Sequence, residues 1–327
     1  MGTEELKDKV ILVTGGAGFI GSHLCEGLLE LGAKVICVDS LLTGKTENFT
    51  HLKEKFGEQI KSFKFDVNTE RGSIELLFRE LKPDYVFHYA AMVGVKKLAE
   101  EPLDFFVDMQ GIRNIFELSK EFGVKKVVFS SSSEVYGEPI NPGDKAGASI
   151  NIRAHDPYAL TKLYGECIAY HYFKQYDLPT CSLRFFNVYG PRQESSDYGF
   201  VTGVFIRQVL VGKNPTVFDD GSQTRDFVYV KDNVEAAICA LLTDRTNGKT
   251  LNIGRGTPTT ILDLAQRVIA MSGKDYLKPE FMHGRGIEIK HRNPDVAQMK
   301  ELLNYELQTN LDEGLKKTFD WYKENVK

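Results

Sequence analysis

The chain has 327 residues, a formal net charge of −4 and a pI near 6.0, with 42% hydrophobic and 26% charged residues. That length buries one large core or two closely apposed ones, at the composition of an ordinary globular protein. The charge gives no reason to expect a nucleic-acid partner; without an apolar span, and with the charged start MGTEELKDK, no membrane is expected either, and a cytoplasmic location is.

Short β-rich apolar runs alternate with longer helical patterns through the first two-thirds of the chain. Residues 10–14, 34–38, 60–65, 85–89, 126–130 and 180–185 read as buried strands, and 22–31, 74–81, 104–122 and 158–176 as helices. Continuous apolar strands separated by helices imply a parallel sheet covered on both faces, an α/β doubly wound arrangement. After residue 187 the pattern changes to Gly- and Pro-punctuated segments (188–199, 213–225, 254–260, 281–294) around helices at 200–211 and 261–271. We therefore expect a first domain over 1–187 and a smaller α/β region over 188–327. A segment near 225–255, with a helix at 231–242, returns to the first domain, and 311–325 closes the chain as an amphipathic helix.

The first strand runs into Gly15-Gly-Ala-Gly18-Phe19-Ile20-Gly21 and then into a helix. Gly15 and Gly18 permit a tight turn, Gly21 lets the helix pack closely, and the helix N-terminus suits a pyrophosphate. Glycine-rich turns are common, but here the flanking strand and helix that a dinucleotide site requires are both present. Asp39 ends the second strand 18 residues beyond Gly21, where a carboxylate accepts bonds from ribose hydroxyls and repels a 2′-phosphate, so NAD is the expected cofactor. Asp66 and Val67 follow the third strand at the adenine end, and Ala90 and Ala91 end the fourth with small residues. His88 reads as a packing residue. The five cysteines have no CxxC spacing and the seven histidines no HxxxH pair, so neither a disulfide nor a metal is expected.

Tyr158 and Lys162 stand four residues apart, on one face of a helix. An ammonium beside a phenol favours the phenolate and lowers its pKa, each unit needing about 1.4 kcal/mol. Alone, such a pair is more often a solvated helix face. The surrounding motifs reverse that weighting: TGGAGFIG, Asp39, HYAA, SSSSEVYG, YALTK, FFNVYGPR and TRDFVYV occur in this order.

With these motifs the chain resembles the extended short-chain dehydrogenase/reductases, in particular the nucleotide-diphosphate-sugar epimerase/dehydratase family, from about Val10 to beyond Asp295. The resemblance implies a Rossmann-like fold, NAD, and a catalytic triad of Ser132, Tyr158 and Lys162, with Ser131 or Ser133 as alternatives for the hydroxyl. It also implies Asn187, Arg225 and Arg292 at the sugar diphosphate, Val93 near the sugar, and a homodimer built on the helices at 104–122 and 158–176. Family reactions begin with oxidation at C4. Glu134 is a further candidate catalytic residue and the discriminating position: dehydratases resemble Thr-Asp-Glu and decarboxylases Thr-Ser-Glu, whereas this chain has Ser132-Ser133-Glu134. Lacking an aspartate at 133, a 4,6-dehydratase is disfavoured. The expected reaction is UDP-hexose 4-epimerisation, with UDP-glucuronate decarboxylation second. A regulatory protein that only binds NAD or a sugar nucleotide is the alternative of another class.

Overall fold

In the first strand, β1 (Val10–Thr14), alternate side chains enter different cores: Ile11 and Val13 join one buried cluster and Leu12 the other. That double burial is why its sequence is apolar without alternation. A computed structural model describes residues 5–137, 156–196, 199–284 and 290–325, apart from the side chains at 95 and 96. Residues 197–198 and 285–289, within the expected segments 188–199 and 281–294, lie outside the described residues.

The first half continues with helix α1 (Phe19–Glu30), β2 (Lys34–Asp39), α2 (Glu47–Phe56), β3 (Ile60–Lys64), α3 (Arg71–Leu81), β4 (Tyr85–His88) and α4 (Val95–Glu100). Then come α5 (Asp108–Glu121), β5 (Lys126–Ser132), α6 (Pro157–Tyr176) and β6 (Thr180–Phe185). The two-residue β7 (Val188–Tyr189), α7 (Val201–Leu210), β8 (Thr216–Phe218), β9 (Thr224–Asp226), β10 (Val228–Tyr229), α8 (Val230–Leu242) and β11 (Lys249–Ile253) follow. Last are β12 (Pro258–Thr260), α9 (Ile261–Ser272), β13 (Glu280–Met282), α10 (Ala297–Leu303) and α11 (Leu311–Asn325).

Seven strands form one parallel sheet in the order β11-β6-β5-β4-β1-β2-β3. The fold is a Rossmann-like doubly wound sheet. Helices α1 and α8 cover one face through Leu24, Leu28, Val234 and Ile238, and α3, α5 and α6 cover the other through Phe78, Ile115, Phe116 and Ala169. Winding reverses between β1 and β4, which opens a crevice at the strands' carboxyl ends, the usual ligand position in such sheets. The return of α8 and β11 extends this sheet beyond β6. A third core holds Tyr189, Phe205, Tyr229, Leu264, Leu315, Phe319 and Tyr322, drawn from α7, α9, α11 and the short strands.

Several bounds differ from the sequence expectation for identifiable reasons. Helix α1 starts at Phe19, because Gly18 is already extended in the N-cap position. Strand β5 runs on to Ser132, because Ser131 and Ser132 keep register with Arg184 and Phe185 of β6. The expected helix at 104–122 is two elements: Pro102 opens a tight 3₁₀ stretch to Val107, and the α-helix begins at Asp108. Helix α2 was not among the expected elements, although Phe49, Leu52 and Phe56 stand at helical spacing and pack on the first core.

Helix α6 is fixed at both ends, by the Asp156 carboxylate accepting the Ala159 N–H at 3.1 Å and by Asp177 in the left-handed conformation. It presses on β5 at Gly165, where an added Cβ would lie 2.2 Å from the Phe129 ring. Phe129 is buried and has little room to yield. Gly165→Ala is expected to destabilise the fold by about 1–3 kcal/mol. Urea unfolding should show a lower midpoint at unchanged slope.

Candidate functional site

At the crevice, the glycine turn is built by exclusion. Gly15 has φ +71°, and a Cβ there would lie 2.7 Å from the Ala90 nitrogen; one on Gly21 would lie 2.1 Å from the Gly15 carbonyl oxygen. Phe19 and Ile20 open α1 just past Gly18. Asp39 ends β2 with its carboxylate accepting the Ala17 N–H at 2.9 Å and the Leu41 N–H at 2.8 Å. Burial lifts its pKa, while the N–H groups of Leu41, Ala17 and Gly18 pull against that lift. Asp66 accepts the Asn68 N–H at 2.8 Å, and buried Val67 offers its carbonyl to Asn114 at 2.8 Å. Ala90 and Ala91 leave β4 with the Ala90 N–H on the Thr14 hydroxyl at 3.1 Å. A loop whose glycines cannot carry side chains, aimed at a helix N-terminus and flanked by Asp39, fits a dinucleotide.

His88 is buried, paired with Thr14 through Nδ1 at 2.7 Å and stacked on Phe129. Burial, then the Lys162 charge, push its pKa down to about 3, which keeps it neutral.

Along Ser130–Ser133 the hydroxyls take four different partners. Ser130 donates to the His88 carbonyl at 3.2 Å, and Ser131 donates to Glu166 at 2.5 Å. Ser132 accepts the Glu134 N–H at 3.2 Å and opposes the rise in the Tyr158 pKa, while Ser133 accepts from Arg292 at 3.3 Å. Strand alternation thus brings Ser132 to the side of the phenol and Ser131 to Glu166, and the 3₁₀ turn that begins at Ser133 carries that hydroxyl to Arg292.

Lys162 lies under the Tyr158 ring, its Nζ 5.6 Å from the centroid, and donates to the Ser130 carbonyl at 2.8 Å. Burial pushes its pKa down to about 8, against the opposing charges of Asp108 and Glu166. The expected lowering of the phenol is not what the protein's own residues produce. Burial raises the Tyr158 pKa well above its usual value, the Ser132 hydrogen bond opposes this, and Glu134, Asp108 and Asp156 raise it further. A phenol enclosed among carboxylates needs positive charge beyond Lys162 to ionise.

On the C-terminal side, β9 runs beside His291: the Thr224 N–H donates to the Lys290 carbonyl at 2.8 Å, and Arg225 is the next residue. Arg292, only 3% exposed in its side chain, grips both Glu134 oxygens, with Nη2 to Oε2 at 2.8 Å and Nη1 to Oε1. Burial alone would raise the Glu134 pKa, but Arg292 and then Arg225 hold it below its ordinary value. Asn187 sits alongside, its amide 3.4 Å from the Asp226 carbonyl. Val93 is half-buried in the turn between β4 and α4. The structure thus gathers Ser132, Glu134, Tyr158, Lys162, Arg225 and Arg292 at one end of the crevice.

One network escaped the sequence reading. Glu166 holds Arg184 by two hydrogen bonds of 2.7 and 2.6 Å; Arg184 donates to the Tyr136 hydroxyl at 2.7 Å. Tyr136 donates to Asn252 at 2.7 Å, and Asn252 donates to the Asp295 carbonyl at 2.9 Å. A polar chain therefore joins the Lys162 helix to the segment carrying Arg292. Its sequence signal was Glu166, one helical turn past Lys162.

The model of the family described as the NAD dependent epimerase/dehydratase family matches residues 11–254. The chain belongs to that family. It is 36% identical to a UDP-N-acetyl-α-D-glucosaminuronate decarboxylase of Bacillus cytotoxicus, over 97% of this chain and 98% of the relative. It is 33% identical to a UDP-glucose 4-epimerase of Mycolicibacterium smegmatis, over 95% and 98%. Among solved structures it matches a Thermotoga maritima UDP-glucose 4-epimerase with UDP-glucose at a TM-score of 0.90 and 32% identity, covering 97% of this chain and 100% of that one. The protein is thus an NAD-dependent nucleotide-sugar enzyme, and a purely binding role finds no support among its relatives. No helix among the described residues is long and apolar enough to cross a membrane, and no group of three or more His, Cys, Asp or Glu among them could hold a metal.

Tyr136→Phe removes one link of the network and leaves the Glu166–Arg184 pair intact. Steady-state kinetics with a nucleotide sugar should show KM raised about 5- to 100-fold, the loss of two hydrogen bonds, with kcat changed less than KM.

Proposed function

We propose that the protein inverts C4 of a UDP-sugar through a transient 4-keto sugar. The observation that carries this reading is the Glu134–Arg292 pair. Dehydration and decarboxylation each need a further acid or base at the sugar, and the candidate at this position is clamped by Arg292, which leaves it no proton to give and weakens it as a base. Epimerisation needs one group that takes and returns a single proton, and Tyr158 suffices for that. Ser133, where a dehydratase would have aspartate, argues against dehydration.

The glycine turn, Asp39, Asp66, Val67, Ala90 and Ala91 would hold NAD. Bound NAD supplies the hydride acceptor and a positive charge near the phenol. Tyr158, as phenolate, takes the proton from the C4 hydroxyl, and the same phenol returns it after the sugar turns. Ser132 donates to that oxygen and fixes its direction, while the Lys162 ammonium, anchored on the Ser130 carbonyl, stabilises the phenolate from below. Arg225 and Asn187 face the sugar diphosphate, with Arg292 adding its positive charge from its place on Glu134. Val93 borders the sugar. We place the enzyme in the cytoplasm, where NAD and UDP-sugars are available.

Decarboxylation of a UDP-uronate is the second reading. It is favoured by the Bacillus cytotoxicus relative and by Ser133-Glu134, with Arg292 then available to a sugar carboxylate. Incubation with UDP-glucose, UDP-N-acetylglucosamine and the corresponding uronates, with products read by mass and NMR, decides between them. Unchanged mass with inverted C4 is expected, whereas release of carbon dioxide would replace the first reading with the second. Tyr158→Phe should cost about 10²–10⁴ in kcat, and Glu134→Gln far less.

A homodimer through α5 and α6 is part of the proposal. Tyr170 and Tyr176 on α6 are 48% and 47% exposed, and Leu103, just before α5, is 74% exposed. Sedimentation velocity at micromolar concentration should give a dimer, and Tyr170→Asp should shift it to monomer. A monomeric parent would remove this part of the proposal.

A further inference from the structure

Asp108, at the first turn of α5, is a buried carboxylate that the mechanism above leaves without a task. One oxygen accepts the Met92 N–H at 2.7 Å, in the turn that follows Ala90 and Ala91. The other lies 3.4 Å from the Asn68 amide nitrogen, next to Asp66 and Val67. Asp108 therefore bridges the two loops expected to face opposite halves of the dinucleotide. The contact is close, since a Cβ on Gly111, one turn along α5, would lie 2.2 Å from Asn68 Oδ1. A buried carboxylate with two N–H donors still carries a full charge that needs an opposite one nearby. Lys162 is the cation that acts on it.

We propose that Asp108 is a positioning residue for the reaction: ionised, it holds the turn after β4 against the loop after β3 and sets the charge felt by Lys162 and Tyr158. It works through those two side chains and touches no reacting atom. The proposal rests on Tyr158 being the base.

The charged groups around these side chains fix the sign. Asp108 feels burial first, then the Met92 N–H, Lys162, Asn68 and the like charge of Asp66. Lys162 feels burial, Asp108 and Glu166. Tyr158 feels burial, Ser132, Glu134, Asp108 and Asp156. Buried His88 faces Lys162 from β4 and stays neutral. Removing the Asp108 charge relieves repulsion on the phenolate and withdraws support from the ammonium. Both pKa values then fall, so the whole pH–rate bell moves to lower pH.

Asp108→Asn is the test, because it keeps shape and an acceptor for Met92. Asn68 Oδ1 has no partner, so a flipped Asn68 amide can receive the new donor. Both limbs of the kcat/KM profile should move down by about one pH unit. Ultraviolet titration of the NAD-loaded protein, differenced against NAD-loaded Tyr158→Phe, should show Tyr158 ionising at correspondingly lower pH, independently of turnover. Asp108→Ser, a second uncharged replacement, should give the same displacement at whatever stability it retains. A profile and a tyrosine titration that both stay in place in the folded variants would overturn the role of Asp108. Full activity in Tyr158→Phe would instead overturn the reading of Tyr158 as base, which keeps the two failures distinct.

Discussion

The burial of Lys162 is the constraint on which the site depends. A 4% exposed ammonium survives in a protein interior only where fixed acceptors replace its water, and here the Ser130 carbonyl and hydroxyl provide them. Those acceptors exist because β5 continues in register with β6 through its serines, and because α6 lies close enough at Gly165 for the side chain to reach across. Strand pairing, helix docking and the placement of Tyr158 one turn earlier are thus a single geometric solution. The same burial raises the phenol's pKa, so the protein holds its base protonated until further positive charge arrives.

Electrostatics at the site are arranged as opposed pairs. Asp108 and Glu166 support Lys162, and Arg292 neutralises Glu134. The carboxylates that steady the cations also discourage phenolate formation. Glu166 serves twice, since it also holds Arg184, whose hydrogen bond to Tyr136 leads on to the Asp295 carbonyl. Positions of the proton-transfer side chains and of Arg292 are consequently coupled through buried polar contacts, where geometry is more strictly enforced than at a solvated surface.

Much of the nucleotide half was legible because its signals are local. The glycine spacing, the apolar strands and the Tyr–Lys interval each encode geometry within a few residues. Asp39, Gly15 and Gly21 sit where their spacing put them. What was not legible depends on tertiary contact. Helix α2 is an exception, since Phe49, Leu52 and Phe56 do stand at helical spacing, whereas the 3₁₀ stretch from Pro102 to Val107 is tied to α6 through the Thr161 hydroxyl on the Phe105 carbonyl at 3.3 Å. The partners of the four serines were beyond sequence because alternation along β5 has meaning only once β6 sets its register. The phenol's resting pKa was not legible for a related reason: the lowering expected from Lys162 together with a bound nicotinamide cation starts from a level that burial and three carboxylates raise, and those are tertiary.

The third core has a consequence for how the chain comes to be folded. Its side chains span Tyr189 to Tyr322, and α11 contributes Leu315, Phe319 and Tyr322 to the same apolar interior as α7 and α9. During synthesis the parallel sheet can gain its edge strand β11 while that interior is still open on one side. The half of the molecule that contains α7 and α9 must therefore wait, partly greasy and unsealed, until residues 311–325 clear the ribosome, and this interval is when holdase chaperones have something to bind.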